Sequence, residues 1–406
     1  MSTAPTRIFL HRSSPPTLLT LVLLAGVSAM SMGIYLPSLP AMEAHFATEY
    51  WIVQLSVALY LGVNGALQII IGPISDRFGR RPVLLWSCGL FCLFSLGCIY
   101  APTIEVFLAF RMAQAVIVSA MVLSRAMIRD MVDPAEAASM IGYVTMGMAL
   151  VPMVAPALGG ALEAQFGWQG SFWALVIAGL GLWALTWADA GETHWNRSAS
   201  FTEQFQEYPE LIQSRRFWGY AATAAFASGA FFAYLGGAPY VGATLFEMGP
   251  TKLGVFLGAP AVGYMIGNGI SGRYSMRFGI NRMLLWGAFI ASSGLIAMTL
   301  GFVLGNGSSL VFFGFMIFVG LGNGMVLPNA TAGLLSIHPH LAGTASGLGG
   351  ALMIGGGAAL SAIATAVTGG DSGALPLISL MLLSSLFGVA TALYTSARAR
   401  KVGAFE

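Results

Sequence analysis

Charge is scarce in this sequence. Its 406 residues include 16 Asp plus Glu and 18 Lys plus Arg, 8% in all, against 57% apolar residues. A soluble chain would carry about a quarter charged. Apolar runs of membrane-spanning length recur from end to end, and lipid is the solvent that suits them. The net charge of +2 does not point to nucleic acid, because the basic residues stand singly between apolar runs. Also missing are the alternating segments of about ten residues that mark an outer-membrane barrel. Cysteine is nearly absent: Cys88, Cys92 and Cys98 lie in one apolar run. Cys88 and Cys92 share a helix face, a poor geometry for a disulfide, and no His or acid stands near enough in sequence to complete a metal site. They read as packing residues. No nucleophile with a base, no cofactor site and no ATP-binding motif appears, which argues against an intramembrane enzyme. His11, His45 and His194 fall in loops or tails, and His338 and His340 flank Pro339 in a turn. The longest polar stretch is too short for a signalling domain.

Cut at its polar clusters, the chain gives twelve predicted spans near 18–39, 51–71, 82–100, 104–127, 138–160, 169–188, 217–238, 253–271, 283–304, 310–334, 343–367 and 374–396. The first follows MSTAPTRIFLHRSSPP and leads through no A-x-A site into a soluble domain, so it reads as a retained helix, not a cleaved signal. One side of the membrane then collects Arg7 and Arg12; Arg77, Arg80 and Arg81; Arg125 and Arg129; Arg197, Arg215 and Arg216; Arg273, Arg277 and Arg282; Arg398, Arg400 and Lys401. That is 16 of the 18 basic residues; the other side holds Lys252, and Arg111 lies inside a span. The asymmetry puts both termini in the cytoplasm. The expected organisation is a tail (1–17), a six-helix bundle (18–188), a cytoplasmic central loop (189–216), a second six-helix bundle (217–397) and a tail (398–406).

The two halves are related in sequence. QIIIGPISDRFG from Gln68 aligns with NGISGRYSMRFG from Asn268, pairing Gly72 with Gly272, Arg77 with Arg277 and Gly79 with Gly279. YLPSLP from Tyr35 echoes YLGGAP from Tyr234. Two parallel repeats about an axis along the membrane normal are the arrangement of a rocking transporter.

The loop GPISDRFGRR at 72–81 resembles the signature between spans two and three of the major facilitator superfamily. The FRMAQ segment around Arg111 is similar to that family's buried-arginine motif, and APALGG at 155–160 to its antiporter motif. FGWQGSFW at 166–173 and HPHLAGTASGL at 338–348 are similar to the Bcr/CflA drug-resistance subgroup of drug/proton antiporters. The resemblance implies an all-α polytopic membrane protein of twelve helices in two pseudo-symmetric six-helix bundles, lying in a bacterial inner membrane. It also implies that Asp76 and Arg80 pair with Asp130, latching the halves, and that Asp76 lies near the start of span eleven, where a helix dipole favours it. Gly72 and Gly79 are expected to let the turn pack closely. The positive-inside rule accounts equally well for Arg77 and Arg81, but does not require an acid. Met276 and Ile280 replace Asp76 and Arg80 in the second copy, predicting a weaker latch or none. In the antiporter motif, Pro156 interrupts the hydrogen-bond ladder, Pro152 adds a second kink, and Gly159 with Gly160 permits a close, bendable contact; plain packing is the alternative.

A charge as deep as Arg111 is costly and usually functional; bonding to backbone carbonyls of span one is its structural alternative. With Gln114 on the same face, Asn64, Gln68 and Asn268 on spans two and eight, and Tyr35, Phe231 and Tyr234 on spans one and seven, it outlines a central cavity for an amphipathic organic molecule. Relatives that couple export to protons usually carry an acid in span one just before YLP, where this chain has Gly33. Glu105, Glu163 and Asp130 are the remaining candidate proton carriers; alternatively an unpaired Arg111 draws an anionic or polar substrate. The reading is therefore an exporter of small amphipathic compounds, with protons and the lipid bilayer as its other partners and a monomer sufficient. The alternative is an importer or facilitator of a siderophore, peptide or other small metabolite on the same fold.

Overall fold

The computed structural model of the chain describes residues 8–132, 134–193, 211–337, 342–368 and 373–401. Among them there is no strand. Lipid offers no partner to backbone N–H and C=O groups, so each apolar run closes its hydrogen bonds within itself as a helix. Eleven helical stretches among the described residues are long and apolar enough to cross a membrane. A twelfth, Pro134–Phe166, is 33 residues long and uncharged from 138 to 160. In chain order they are α1 Leu18–Phe46, α2 Tyr50–Phe78, α3 Arg80–Ile99, α4 Ile104–Met131, α5 Pro134–Phe166 and α6 Gln169–Asp189. The second half follows as α7 Arg215–Leu245, α8 Pro250–Phe278, α9 Ile280–Val303, α10 Ser309–Leu335, α11 Ala342–Val367 and α12 Leu375–Lys401.

Helices outrun the apolar spans. The sequence places a loop at 72–81, but α2 runs on to Phe78 and α3 begins at Arg80, leaving Gly79 alone between them. Its φ of +97° lies where side chains clash with the backbone, so one glycine makes the break that the sequence assigned to a longer loop. Gly279, at φ +82°, does the same between α8 and α9. The aligned segments YLPSLP and YLGGAP break differently. α1 passes through a tight turn at Leu36–Ser38 beside Pro37, whereas α7 stays helical past Pro239 before widening at Val241–Leu245.

Packing repeats with a shift of six helices. In the first half α1 meets α4 and α5, α2 meets α4, and α3 meets α6; in the second α7 meets α10 and α11, α8 meets α10, and α9 meets α12. Between halves the most extensive contacts are α2 with α11 and α5 with α8, a pair that the same shift exchanges, and α1 and α2 also touch α7. A twofold relation between halves requires this. The α8–α10 contact is set by GxxxG on both helices. A Cβ added to Gly263 would stand 1.8 Å from the Ile317 carbonyl oxygen, and one on Gly320 1.7 Å from that of Pro260.

Residues 189–193, the start of the expected central loop, fold back onto the first half. The buried Asp189 carboxylate accepts hydrogen bonds from the backbone N–H of Leu10 (2.7 Å) and Thr17 (2.9 Å) and the hydroxyls of Thr17 (2.8 Å) and Thr20 (2.5 Å). Gly191 N–H donates to the Ser14 carbonyl at 2.9 Å. The segment before α1 is thereby tied to the end of α6. Arg7, His194, Arg197, His338 and His340 lie outside the described residues.

Candidate functional site

At the arginine-rich end, Arg80 is buried and joins two helices. Its guanidinium lies 2.5 Å from Asp76 and 3.1 Å from Asp130, and also donates to the Ser75 hydroxyl. Burial strengthens each ionic contact relative to one in water. Glu192, which sequence reading passed over, completes this corner. Its carboxylate accepts from the N–H groups of Arg80 (3.0 Å) and Arg81 (3.3 Å), capping α3 at the end where a helix favours negative charge. The neighbouring Thr193 hydroxyl donates to Asp130 at 3.2 Å. A Cβ on Gly79 would stand 2.5 Å from Glu192 Oε2, so this glycine serves both the backbone turn and the approach of the carboxylate. Gly72 differs from expectation: it lies within α2, and among the described residues nothing comes within 4 Å of where its Cβ would be. Arg77 is exposed over the ring of Phe78, while Arg81 donates to the Trp187 carbonyl at 3.0 Å. The start of span eleven, expected beside Asp76, falls at Ala342, and the side chains of 342–344 lie outside the described part.

At the opposite end the halves meet backbone to backbone: Gly160 of α5 abuts the Pro250 carbonyl of α8, where a Cβ would fall 2.3 Å from the oxygen, while its neighbour Gly159 packs within the first half against the Ile34 carbonyl of α1, 1.6 Å from its Cβ position. Pro156 presents its own carbonyl to Gly254. The α5 helix is continuous through both prolines; the side chain of Pro152 is outside the described part. Gln54 donates to the Gly236 carbonyl, Thr251 to that of Gly160 at 3.3 Å, and the rings of Tyr50 and Tyr240 lie 5.1 Å apart. Beside this seam, a cleft of about 360 Å³ opens between Pro37, Pro40, Ala41 and Glu163 on one side and Ala243, Met248, Pro250 and Leu253 on the other. Glu163 Oε2 is buried there without a hydrogen-bond partner.

The candidate cavity residues fall into two groups. Tyr35, Asn64, Arg111, Gln114 and Tyr234 are buried; Gln68, Phe231 and Asn268 are half-buried. Arg111, 1% exposed, lies between the rings of Tyr35 and Tyr60, 4.4 and 3.9 Å from their centroids. It donates to the Ser31 carbonyl of α1 at 2.7 Å and to Gln114 Oε1, whose amide donates to Ser95 at 2.6 Å. The backbone-bonded alternative is what this structure displays, with a carbonyl, an amide and two aromatic faces about Arg111, while its buried Nε has no acceptor and no carboxylate pairs with it among the described residues. Tyr60, which helps to enclose it, carried no sequence signal beyond its place one helical turn before Asn64. Gln68 donates to Asn64 at 2.9 Å and Asn268 to the Tyr264 carbonyl at 2.8 Å. Tyr234 donates to the Phe256 carbonyl at 3.3 Å and stacks near Phe231 and Phe312. Gly33 leaves room at the place of the missing acid: its Cβ would have Pro156 at 3.8 Å. Among the described residues no group of three His, Cys, Asp or Glu could hold a metal.

The family profile described as Major Facilitator Superfamily matches residues 21–362. A Bacillus subtilis (strain 168) protein named uncharacterized MFS-type transporter YdgK is 31% identical over 93% of this chain and 96% of its own length. A Pseudomonas aeruginosa chloramphenicol resistance protein is 30% identical over 80% and 79%, and multidrug resistance protein D of Escherichia coli (strain K12) 28% over 90% and 92%. Among solved structures, a D-xylose–proton symporter superposes with a TM-score of 0.72 at 15% identity, covering 93% of this chain and 96% of that one. That likeness concerns the fold alone.

Proposed function

The chain belongs to the major facilitator superfamily, with drug-resistance proteins among its relatives, consistent with the Bcr/CflA subgroup. From that premise we propose that it exports small amphipathic organic compounds by alternating access, driven by protons. One observation carries the reading: the halves are closed at the end away from the arginine-rich corner by glycines and carbonyls, with no ion pair in that seam among the described residues. Close backbone contact of this kind holds two bundles by packing, and separating it leaves no charge unpaired. The Arg80 corner, by contrast, ties helices of one half to each other and keeps that bundle rigid. Export is the direction favoured by relatives named for chloramphenicol and multidrug resistance. The basic asymmetry supports a cytoplasmic location for the arginine-rich end and both termini, in an inner membrane. Each chain holds both bundles, so a monomer suffices. Of the candidate proton carriers, Asp130 is engaged by Arg80, whereas Glu163 faces the cleft beside the seam.

Purified protein in liposomes, given chloramphenicol under an imposed pH gradient, tests this. The expected result is accumulation that follows the gradient and collapses with it. Accumulation indifferent to the gradient removes the proton; no movement of chloramphenicol or of other amphipathic compounds removes export.

A further inference from the structure

Three apolar residues in a row stand in the open before the first span. Ile8, Phe9 and Leu10 are 51%, 51% and 56% exposed, and such a run facing water is a liability unless it has a use. The segment is nevertheless built. The Ser14 hydroxyl lies 3.0 and 2.8 Å from the carbonyls of Ile8 and His11, and Ser14 N–H donates to the latter at 2.9 Å. Leu10 is held at φ +58°, a conformation leucine seldom adopts, with its N–H on the Asp189 carboxylate at 2.7 Å. Asp189 closes α6, and Thr17, which also bonds it, immediately precedes α1. The turn is therefore fixed at the level where two spans end, which in a membrane is the depth of the headgroups.

Charge of one sign stands at the same level. Arg12, exposed, has its Cζ 5.7 Å from the centroid of the Trp187 ring on α6, and Arg81, at the start of α3, donates to the Trp187 carbonyl at 3.0 Å. No acid pairs with Arg12 among the described residues. Trp187 is 48% exposed and lies on one helix face with the exposed Trp183, a turn earlier, as tryptophan does where a span meets the headgroups. We propose that residues 8–12 dock on the lipid leaflet at the arginine-rich end. Ile8, Phe9 and Leu10 enter the boundary between headgroups and acyl chains, and Arg12 holds the phosphate of an anionic lipid. A guanidinium suits phosphate because its planar donors match two oxygens together. The occupant is lipid because the indole under Arg12 belongs to the lipid-facing row of α6. This surface is independent of what the chain transports.

The test uses the full chain in nanodiscs with a nitroxide spin label on Phe9→Cys; the native cysteines are buried and stay unlabelled. Relaxation by oxygen, which enters lipid, is compared with relaxation by a neutral, water-soluble nickel chelate. A label on Asn306→Cys, exposed in the loop between α9 and α10, gives the aqueous reference. In phosphatidylcholine the label at position 9 is expected to meet more oxygen and less nickel than the reference. Adding phosphatidylglycerol raises its ratio of lipid-contacting to water-contacting populations about fivefold, the worth of one arginine at an anionic surface. Arg12→Gln returns that ratio to the phosphatidylcholine value, and Arg12→Lys, which keeps the charge, retains most of the rise. A label at position 9 as open to nickel as the reference in both lipids overturns the anchor. So does a phosphatidylglycerol effect that is missing from the chain with Arg12 intact, that survives Arg12→Gln, or that inorganic phosphate reproduces in phosphatidylcholine.

Discussion

A single residue can be required twice, once by the backbone and once by a neighbour, and Gly79 is such a case. Its φ of +97° and ψ of 150° fall in a region that is essentially glycine's own, costing another residue about 1–3 kcal/mol. A Cβ there would also meet Glu192 Oε2 at 2.5 Å. Gly279 shares the backbone geometry at φ +82° but has nothing within 4 Å of its Cβ position among the described residues. Gly279→Ala is therefore expected to lose only the backbone share, and Gly79→Ala that share plus the displaced cap on α3. Thermal unfolding of the two variants in detergent checks this, with the larger drop expected for Gly79→Ala. Equal drops would mean that Glu192 moves aside without loss. Repetition in the sequence pairs the two glycines; the neighbour that distinguishes them sits more than a hundred residues away along the chain.

Helix contacts are decided by small residues when lipid removes the hydrophobic drive between helices. The GxxxG faces of α8 and α10 bring Gly263 and Gly320 against opposing carbonyls at distances no side chain tolerates. Gly263→Ala and Gly320→Ala are expected to push the helices apart and destabilise the second bundle by about 1–3 kcal/mol each, the usual range for overpacking. Gly72→Ala, in a helix with open space at that point, is expected to be tolerated. Fluorescence-detected size exclusion after a heating series measures all three. Tolerance of Ala at Gly263 and Gly320 would show that another contact sets the α8–α10 distance. Composition alone does not rank these positions, since the chain has 52 glycines; the facing carbonyl does.

On the scale of the whole molecule, the seam formed by α2 and α5 with α7, α8 and α11 must open if the halves rock. Tyr50 and Tyr240 face each other across it at 5.1 Å. Replacing both with Cys and bridging them with a short, reducible thiol cross-linker is expected to stop transport in liposomes in proportion to the bridged fraction, and reduction to restore it. The native Cys88, Cys92 and Cys98 are buried and leave the introduced pair as the reactive targets. Transport that continues at full rate with the bridge in place would show that substrate passes without this seam parting.

The sequence by itself determined the solvent, the helical class and the repeated halves, because scarcity of charge, run length and aligned motifs are properties of the chain that folding does not alter. It also marked Asp76, Arg80 and Asp130, which the structure brings into one ion-paired group. Tertiary structure decided the partners: Glu192 on Gly79, Asp189 on the segment before α1, and Tyr60 on Arg111. The reason is physical: a side chain's chemistry is written in the chain, but whether its charge is already neutralised depends on which distant helix is packed against it.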